Sequence, residues 1–275
     1  MKRVVILTGS ELRHTFFRKA IALSDQVEIV QTYCEGLEKS LGTFVKQESG
    51  NDLRTKHLHA REQSELDFFG LFLDSTADRS KPLFLPKGEI NSPKYVEAIL
   101  KSDPDLLIAY GCSIVREPLL SAFPRRFLNV HLGLSPYYRG SGTNYWPLVN
   151  REPEYVGATF MHIDSGVDSG EVIHQVRARI APGDSAVQIG NRLILDMTQV
   201  YLNLILRFDQ LKAMPQIPSS PAHRYYKKKD YSEESVATLY DNFCDGMIDE
   251  YLRDQKSRCA AVSIVENPAL TPPSP

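Results

Sequence analysis

Short apolar runs alternate with longer amphipathic segments over most of this chain, and this alternation constrains its fold more than any other feature. Residues 4–7 are a four-residue apolar run, typical of a buried strand, and residues 12–23 show helical spacing of apolar positions. Residues 27–33 are strand-like again. A strand, a helix and a second strand in this order predict a crossover unit of a parallel sheet. We therefore predict an α/β fold with a Rossmann-like, mostly parallel sheet flanked by helices.

The same pattern continues along the chain and divides it. It predicts strands at 83–85, 106–110, 127–132, 156–163 and 171–180, and helices at 59–73, 92–101, 116–122, 144–150 and 185–211. Residues 214–221 are rich in proline and serine, and one helix is predicted from 232 to 252. We predict a catalytic domain at 1–211, a linker with a short helical C-terminal extension at 212–256, and a disordered, proline-rich tail at 257–275.

Several functional classes are disfavoured by sequence. The turn at 9–12 (GSEL) lacks the spaced glycines of a dinucleotide-binding loop. His57, His59 and Glu62 are close in sequence, but no second cluster accompanies them, so we interpret them as the solvated start of a helix and predict no metal site. The cysteines are also too far apart for a metal or redox pair: Cys34, Cys112, Cys244 and Cys259.

Charge and hydropathy indicate which partners and which cellular location to expect. With 32 basic and 34 acidic residues the net charge is −2, which disfavours nucleic acid as the main partner. The basic run at 227–229 is interpreted as solvated surface. The N-terminal apolar run is too short for a secretory signal, and no segment reaches membrane-spanning length. We expect a cytoplasmic protein that is not bound to a membrane; a homodimer is compatible with the sequence.

The chemistry is concentrated in an Asn-x-His sequence. Asn129 and His131 alternate on a predicted strand, so both side chains project from one face near its carboxyl end, where open parallel sheets bind ligands. An amide can stabilise a developing oxyanion, and an imidazole can transfer protons near neutral pH. Asp168 lies in a loop with two glycines that could bring its carboxylate to the imidazole. The pattern favours acyl transfer, although each piece alone is common in structural roles.

These residues resemble a known family. Segments 127–140 (FLNVHLGLSPYYRG) and 156–173 (VGATFMHIDSGVDSGEVI) are similar to the catalytic domain of folate-dependent formyltransferases, and the resemblance extends loosely over 1–210. It implies that Asn129 polarises the formyl carbonyl, that His131 transfers the proton and that Asp168 orients His131. The formyl donor implied is 10-formyltetrahydrofolate.

The resemblance also implies binding residues. The pterin end of the folate is expected against seven consecutive residues: Ala109, Tyr110, Gly111, Cys112, Ser113, Ile114 and Val115. Cys112 would pack against the donor, and Gly111 would let backbone amides approach the flat ring. Tyr138 and Arg139 are expected at the acceptor side. Family loops carry Ser-Leu-Leu-Pro where this chain has Gly133-Leu134-Ser135-Pro136, which affects expectations for that side.

The acceptor stays open at this point. The segment beyond residue 211 is too short and too helical for the C-terminal barrel of methionyl-tRNA formyltransferases, and the first turn is a poor phosphate loop for a glycinamide ribonucleotide formyltransferase. By elimination we expect a small-molecule primary amine, for instance on an amino-sugar nucleotide. The alternatives are those two enzymes, a 10-formyltetrahydrofolate hydrolase and a folate-binding protein without turnover.

Overall fold

The computed structural model describes residues 1–38, 41–48, 52–164, 166, 170–216 and 223–270. The described strands are β1 (Lys2–Gly9), β2 (Val27–Glu35), β3 (Pro82–Leu85), β4 (Leu106–Tyr110), β5 (Phe127–His131), β6 (Tyr138–Gly140), β7 (Gly157–His162), β8 (Val172–Arg177) and β9 (Arg224–Tyr226). The described α-helices are α1 (Leu12–Ile21), α2 (Leu41–Glu48), α3 (Leu53–Ser75), α4 (Pro93–Ser102), α5 (Leu119–Ala122), α6 (Trp146–Val149), α7 (Ala186–Leu206), α8 (Glu233–Cys244) and α9 (Met247–Ala260).

Seven strands form the central sheet, in the order β3-β2-β1-β4-β5-β7-β8. The first five of these are parallel, whereas β7 runs antiparallel to β5 and β8 antiparallel to β7. The predicted Rossmann-like, mostly parallel α/β fold is therefore confirmed. Because the carboxyl ends of the parallel strands share one edge of the sheet, the loops after β1, β4 and β5 are neighbours.

Both faces of the sheet are covered, which explains the continuous apolar runs in its strands. Val4 and Ile6 of β1 belong to a core that includes residues of α1 and α7. Val5 and Leu7 point the other way, into a core with residues of α4 and α5. All four side chains are fully buried.

The helix predicted from 232 to 252 is two helices. Ser232 caps α8 by accepting a hydrogen bond from the Ser235 N–H, as its position in the sequence suggested. Gly246 then adopts a left-handed conformation with φ of 75°, and α9 begins at the next residue. The apolar spacing continues across this break because Leu239 and Met247 both reach the main core.

The segment after α9 packs on the sheet. The Val265 N–H donates to Gln175 Oε1 at 3.0 Å, and Asn267 Nδ2 donates to the carbonyls of Ile173 and Lys212, both at 2.8 Å. Residues 257–260 thus complete α9, and residues 261–270 pack next to the sheet edge through these bonds; the rest of the predicted tail, 271–275, lies outside the described residues. The domain boundaries at 211 and 256 stay predictions. Every helix in the described ranges is too short or too polar to span a membrane.

Candidate active site

A cavity of about 670 Å³ opens at the carboxyl edge of the sheet, a size typical of small-molecule sites. Its walls come from the loops after β1, β4 and β5, from α3 and α7, and from segments 140–146 and 227–231. This is the edge at which the parallel topology predicts ligand binding.

Asn129 and His131 lie side by side in the wall of this cavity. β5 pairs with β4 through Ala109 and Asn129, and with β7 through Asn129–Met161 and His131–Thr159. These pairings fix the register of β5, so its alternation places the amide and the imidazole on one face. Both residues are half-buried, so a ligand can reach them.

The surroundings of His131 leave no room for a larger loop residue. A Cβ added to Gly133 would lie 2.9 Å from His131 Nε2 and 2.6 Å from Thr143 Cβ. Thr143 is buried, and its hydroxyl donates to the Leu132 carbonyl. The imidazole is therefore confined by the backbone of Gly133 and by Thr143.

A buried tyrosine supports the strand end from below. Tyr201 of α7 is fully buried, and its hydroxyl donates to the Leu128 carbonyl at 2.8 Å. The same oxygen accepts the Ala109 N–H at 3.2 Å. Because Leu128 precedes Asn129, this bridge between β4 and β5 fixes the backbone directly beneath the amide.

Asp168 lies outside the described residues, but the start and end of its loop are described. Asp164 accepts the Gly166 N–H at 3.0 Å, and Gly170 is buried against the His162 carbonyl. His162 pairs with Leu128, so the loop leaves the sheet beside β5.

Only part of the predicted folate segment faces the cavity. Tyr110, Gly111 and Cys112 line it. Ala109 and Val115 are buried in the apolar core, while the Ile114 side chain is 60% exposed elsewhere. The segment turns sharply after β4, so consecutive side chains face different surroundings.

Gly111 is needed for a reason other than ligand approach. It has φ of 72°, a conformation that favours glycine, and the place of its missing Cβ is filled by the His14 ring. Packing between β4 and α1 thus requires a glycine here, and the expectation that it opens the backbone to a flat ring stays a prediction. The neighbouring Cys112 is not activated, because burial raises the pKa of its thiol to about 12.

The loop after β4 is held by a buried carboxylate. Glu35, at the end of β2, accepts the Ser113 N–H at 2.5 Å and the Gly88 N–H at 2.8 Å, and Lys87 Nζ lies 3.3 Å from it. Lys87 also donates to the Gly111 carbonyl at 3.3 Å. Ser113 therefore contributes through its backbone.

Tyr138 and Arg139 are not among the described residues that line the cavity. Tyr138 is buried, and its hydroxyl donates to Glu152 and accepts from Asn150 Nδ2. Both residues belong to β6, which pairs in parallel with β9. This pairing supports the adjoining wall at 140–146.

Several cavity residues were not identified as site residues from the sequence: Glu11, Arg13, His57, Arg61, Glu65, Lys87, Lys227, Lys228 and Tyr231. Lys227 and Lys228 are exposed, as expected, but they lie on the cavity wall. The solvated interpretation was wrong for His57, which is buried with Nδ1 3.1 Å from the Tyr240 hydroxyl. Burial, then the nearby Arg61, lowers the pKa of His57 to about 4. Glu11 and Arg13 could have been suspected because they follow the first strand closely; the others depend on tertiary packing.

Known proteins with a similar sequence or fold are formyltransferases. The formyl transferase family model matches residues 2–205. A sugar N-formyltransferase from Shewanella sp FDAARGOS_354 has a TM-score of 0.55 and 17% identity, over 84% of this chain and 78% of that chain. A phosphoribosylglycinamide formyltransferase from Anaplasma phagocytophilum has a TM-score of 0.53 and 14% identity, over 82% and 98%.

A third similar structure is the N-formyltransferase from Helicobacter canadensis, solved in complex with folinic acid and dTDP-3-aminofucose. Its TM-score is 0.51 at 14% identity, over 85% of this chain and 78% of that chain. At such identities these likenesses show the fold. The sequence match over 2–205, which covers most of the chain, shows the family. The chain therefore belongs to the formyl transferase family of formyl-transferring enzymes.

Proposed function

We propose that this protein transfers a formyl group from 10-formyltetrahydrofolate to the primary amine of a small-molecule acceptor, with an amino-sugar nucleotide as the favoured class. The observation that carries the proposal is the pair of Asn129 and His131, which share one face of β5 in the wall of the large cavity. Folinic acid and an amino-sugar nucleotide are bound together in the Helicobacter canadensis relative, which supports this pair of substrates.

The proposed roles follow from the chemistry of each group. The donor supplies an activated formyl carbon for attack by the acceptor amine, with release of tetrahydrofolate. The Asn129 amide donates to the formyl oxygen as negative charge develops there. His131 takes the proton that the amine loses and returns it to the departing nitrogen of the donor. We assign Asp168 the role of orienting His131 and stabilising its charged form.

Placement of the two substrates can be proposed from the walls. We place the pterin end of the donor against Tyr110, Gly111 and Cys112, where the fixed turn after β4 forms part of the cavity. We assign Tyr138 and Arg139 a supporting role for the wall at 140–146, since β6 pairs with β9 behind it.

Three lysines in the cavity wall favour an acceptor with an anionic part. Lys87 and Lys228 both line the cavity, and the pKa of Lys228 is lowered by partial desolvation of its ammonium group and then by the charge of Lys87. Lys227 lies beside them. Lysines gathered in one wall suit the diphosphate of a sugar nucleotide.

The test is turnover with defined acceptors. Purified protein would receive 10-formyltetrahydrofolate and a panel of amino-sugar nucleotides, with tetrahydrofolate release followed by absorbance. We expect release that depends on the acceptor and falls by at least about a hundredfold in His131→Gln and Asn129→Asp, since each removes a group that acts in the transition state. Asp168→Asn should lower the rate as well.

His59→Gln is the matched control, because His59 is exposed on α3. It should keep full activity. Release without any acceptor would instead indicate hydrolysis, and retention of activity in His131→Gln would contradict the proposed mechanism.

A further inference from the structure

The part of the cavity below α1 and α3 is lined by two arginines and two glutamates that pair with one another. Arg13 Nη1 donates to Glu65 Oε1 at 2.6 Å, and its Nη2 donates to Glu11. Arg61 Nη2 lies 3.5 Å from Glu11 Oε1, and Arg61 Nε lies 3.7 Å from Glu65 Oε1. We call these four residues the Arg–Glu network.

The Arg–Glu network is balanced in charge, with two cations and two anions. Glu65 is only 3% exposed, so its charge depends on the two guanidinium groups. His14 adjoins the network, with its Nδ1 3.6 Å from Glu11 Oε2. Burial, followed by the charges of Arg13, Lys87 and Arg61, lowers the pKa of His14 well below its usual value, so it adds no charge near neutral pH.

A separate observation indicates that a ligand group belongs here. Tyr110 lines the cavity and is 3% exposed, and its buried hydroxyl makes no well-formed hydrogen bond within the described parts of the chain. The Arg13 side chain lies close to this hydroxyl without satisfying it fully, and the charges of Arg13, Glu65 and Arg61 act on it. A buried hydroxyl on a cavity wall loses stability unless it gains a partner, which a bound polar ligand can provide.

The chemistry of the network selects the kind of ligand. The start of a helix ordinarily attracts anions, and α1 begins here. However, Glu11, the residue before Leu12, already places a carboxylate between Arg13 and Arg61. A phosphate would have to approach Glu11 and Glu65 and compete with them for the guanidinium groups. A hydroxyl meets no such repulsion, because it can donate to a carboxylate and accept from an arginine N–H.

We propose that the Arg–Glu network with Tyr110 forms the subsite for a neutral, hydroxyl-bearing ring of the acceptor, and that Glu11 excludes a phosphate group from it. The assignment to the acceptor rests on the proposed function, whereas the exclusion of phosphate does not. Together with Lys227 and Lys228, it predicts an acceptor whose charged part binds at these lysines while its sugar ring occupies the Arg–Glu network.

The first test measures binding of inorganic phosphate by calorimetry at low ionic strength. Glu11→Gln and Glu11→Ser should each bind phosphate at the Arg–Glu network at least about tenfold more tightly than the wild type does. The reason is that one repelling charge is removed from beside two arginines. Serine preserves a side chain suited to the start of a helix, which protects folding. Phosphate bound at the lysines would be the same in wild type and variants.

Two further variants locate the effect. Glu97→Gln makes the same charge change at an exposed position of α4, and this variant should bind phosphate as the wild type does. Glu11→Gln combined with Arg13→Gln should lose the added site. Identical titrations of wild type and both Glu11 variants would overturn the proposal, as would an equal gain in Glu97→Gln.

The second test uses turnover and separates this proposal from the proposed function. Glu11→Gln should raise the KM for an amino-sugar acceptor at least about tenfold, since hydrogen bonds to a charged group are lost, while the KM for the donor stays unchanged. Efficient formylation of glycinamide ribonucleotide, a phosphate monoester, by the wild type would overturn the subsite. Absence of turnover with every acceptor would count against the proposed function. The phosphate titration would then be the one test of whether Glu11 excludes phosphate from the Arg–Glu network.

Discussion

Gly133 stands where related loops carry serine, and its surroundings explain the difference. The space that a side chain would need is taken by Thr143, which is buried, and by His131 Nε2. The serine two positions later, Ser135, is buried, and its backbone N–H donates to Thr159 Oγ1 at 3.0 Å. Ser135 is therefore part of the loop support, and the glycine leaves the space that the His131 ring and Thr143 occupy.

Replacement of this glycine should affect the chemical step. In Gly133→Ala the new methyl group would displace Thr143 or the His131 ring, and a small misplacement of a proton-transfer group can cost tenfold to about a hundredfold in kcat. We expect donor binding to change little. Steady-state kinetics with a donor titration would check both values.

Gly70→Ala is a suitable control, since its nearest contact is the flexible end of Leu66 at 3.3 Å. A Gly133→Ala enzyme with unchanged kcat would show that His131 does not need this space.

The placement of Asn129 and His131 on one face of β5 was predictable because alternation along one strand is a local property. Asn129 and His131 needed only a strand assignment and its direction. By contrast, Arg61 and Lys227 reach the cavity through the packing of α3 and the pairing of β6 with β9, which bring distant parts of the sequence together. Three-residue strands such as β6 carry too few side chains for a periodic signal.

Among the elements, α7 contributes more to the site than its lining residues suggest. Its Tyr201 hydroxyl bridges β4 and β5, so the helix sets the spacing of the two strands that carry the turn at 110–112 and the pair of Asn129 and His131. The hydroxyl bonds to backbone groups that lie in the core, where water cannot replace it.

Removal of that hydroxyl should be costly. Tyr201→Phe leaves the Ala109 N–H and the Leu128 carbonyl without this buried partner, which is expected to lower the free energy of unfolding by about 1–3 kcal/mol. Urea denaturation would measure the loss. Tyr225→Phe, at a position 64% exposed, should change stability by less than about 0.5 kcal/mol, and equal effects of the two variants would contradict the assignment.

The break between α8 and α9 could not be predicted from the spacing of apolar residues. Leu239, Met247 and Tyr251 keep helical spacing and all three are buried, so periodicity alone predicts one helix. The signal that mattered was a single glycine in a left-handed conformation, Gly246.

At the scale of the whole molecule, the C-terminal extension shares the core of the catalytic fold. Met247, Ile248 and Tyr251 of α9 belong to the same apolar cluster as the sheet and α7. Asn242 of α8 also donates to the carbonyls of Leu148 and Val149, at 3.0 and 2.8 Å. The predicted boundary at 211 therefore separates stretches of sequence that pack as one body.

A core substitution in the extension should accordingly destabilise the entire protein. Met247 is 1% exposed, and Met247→Ala is expected to lower the free energy of unfolding by about 2–5 kcal/mol in a single transition. Leu71→Ala, at a side chain 83% exposed, is the control and should be nearly neutral. Two separate transitions in urea would indicate an independent extension.

Stability should also fall in mild acid. Burial keeps His57 neutral in the folded state down to a pKa of about 4, whereas the unfolded chain takes up this proton near pH 6.5. Between these values the unfolded state binds more protons, so the free energy of unfolding falls as pH falls, by about 1.4 kcal/mol per pH unit for this group. Above pH 6.5 the group has no effect.

A comparison of urea denaturation at about pH 7.5 and about pH 5 would isolate this contribution. His57→Gln should lose about 2 kcal/mol less than the wild type between the two conditions. His59→Gln, which changes an exposed residue, should follow the wild type. An identical acid loss in His57→Gln would show that other groups cause it.

The sequence contains one tryptophan, Trp146, and the fold places it in the wall of the cavity, 6% exposed and stacked on Tyr226 with ring centroids 4.1 Å apart. The ultraviolet emission of the native protein therefore comes from an indole next to the ligands, without any competing indole elsewhere. A ligand that enters the cavity changes the surroundings of this indole, so occupancy can be followed as a change in its emission, with no label added and no catalytic step required.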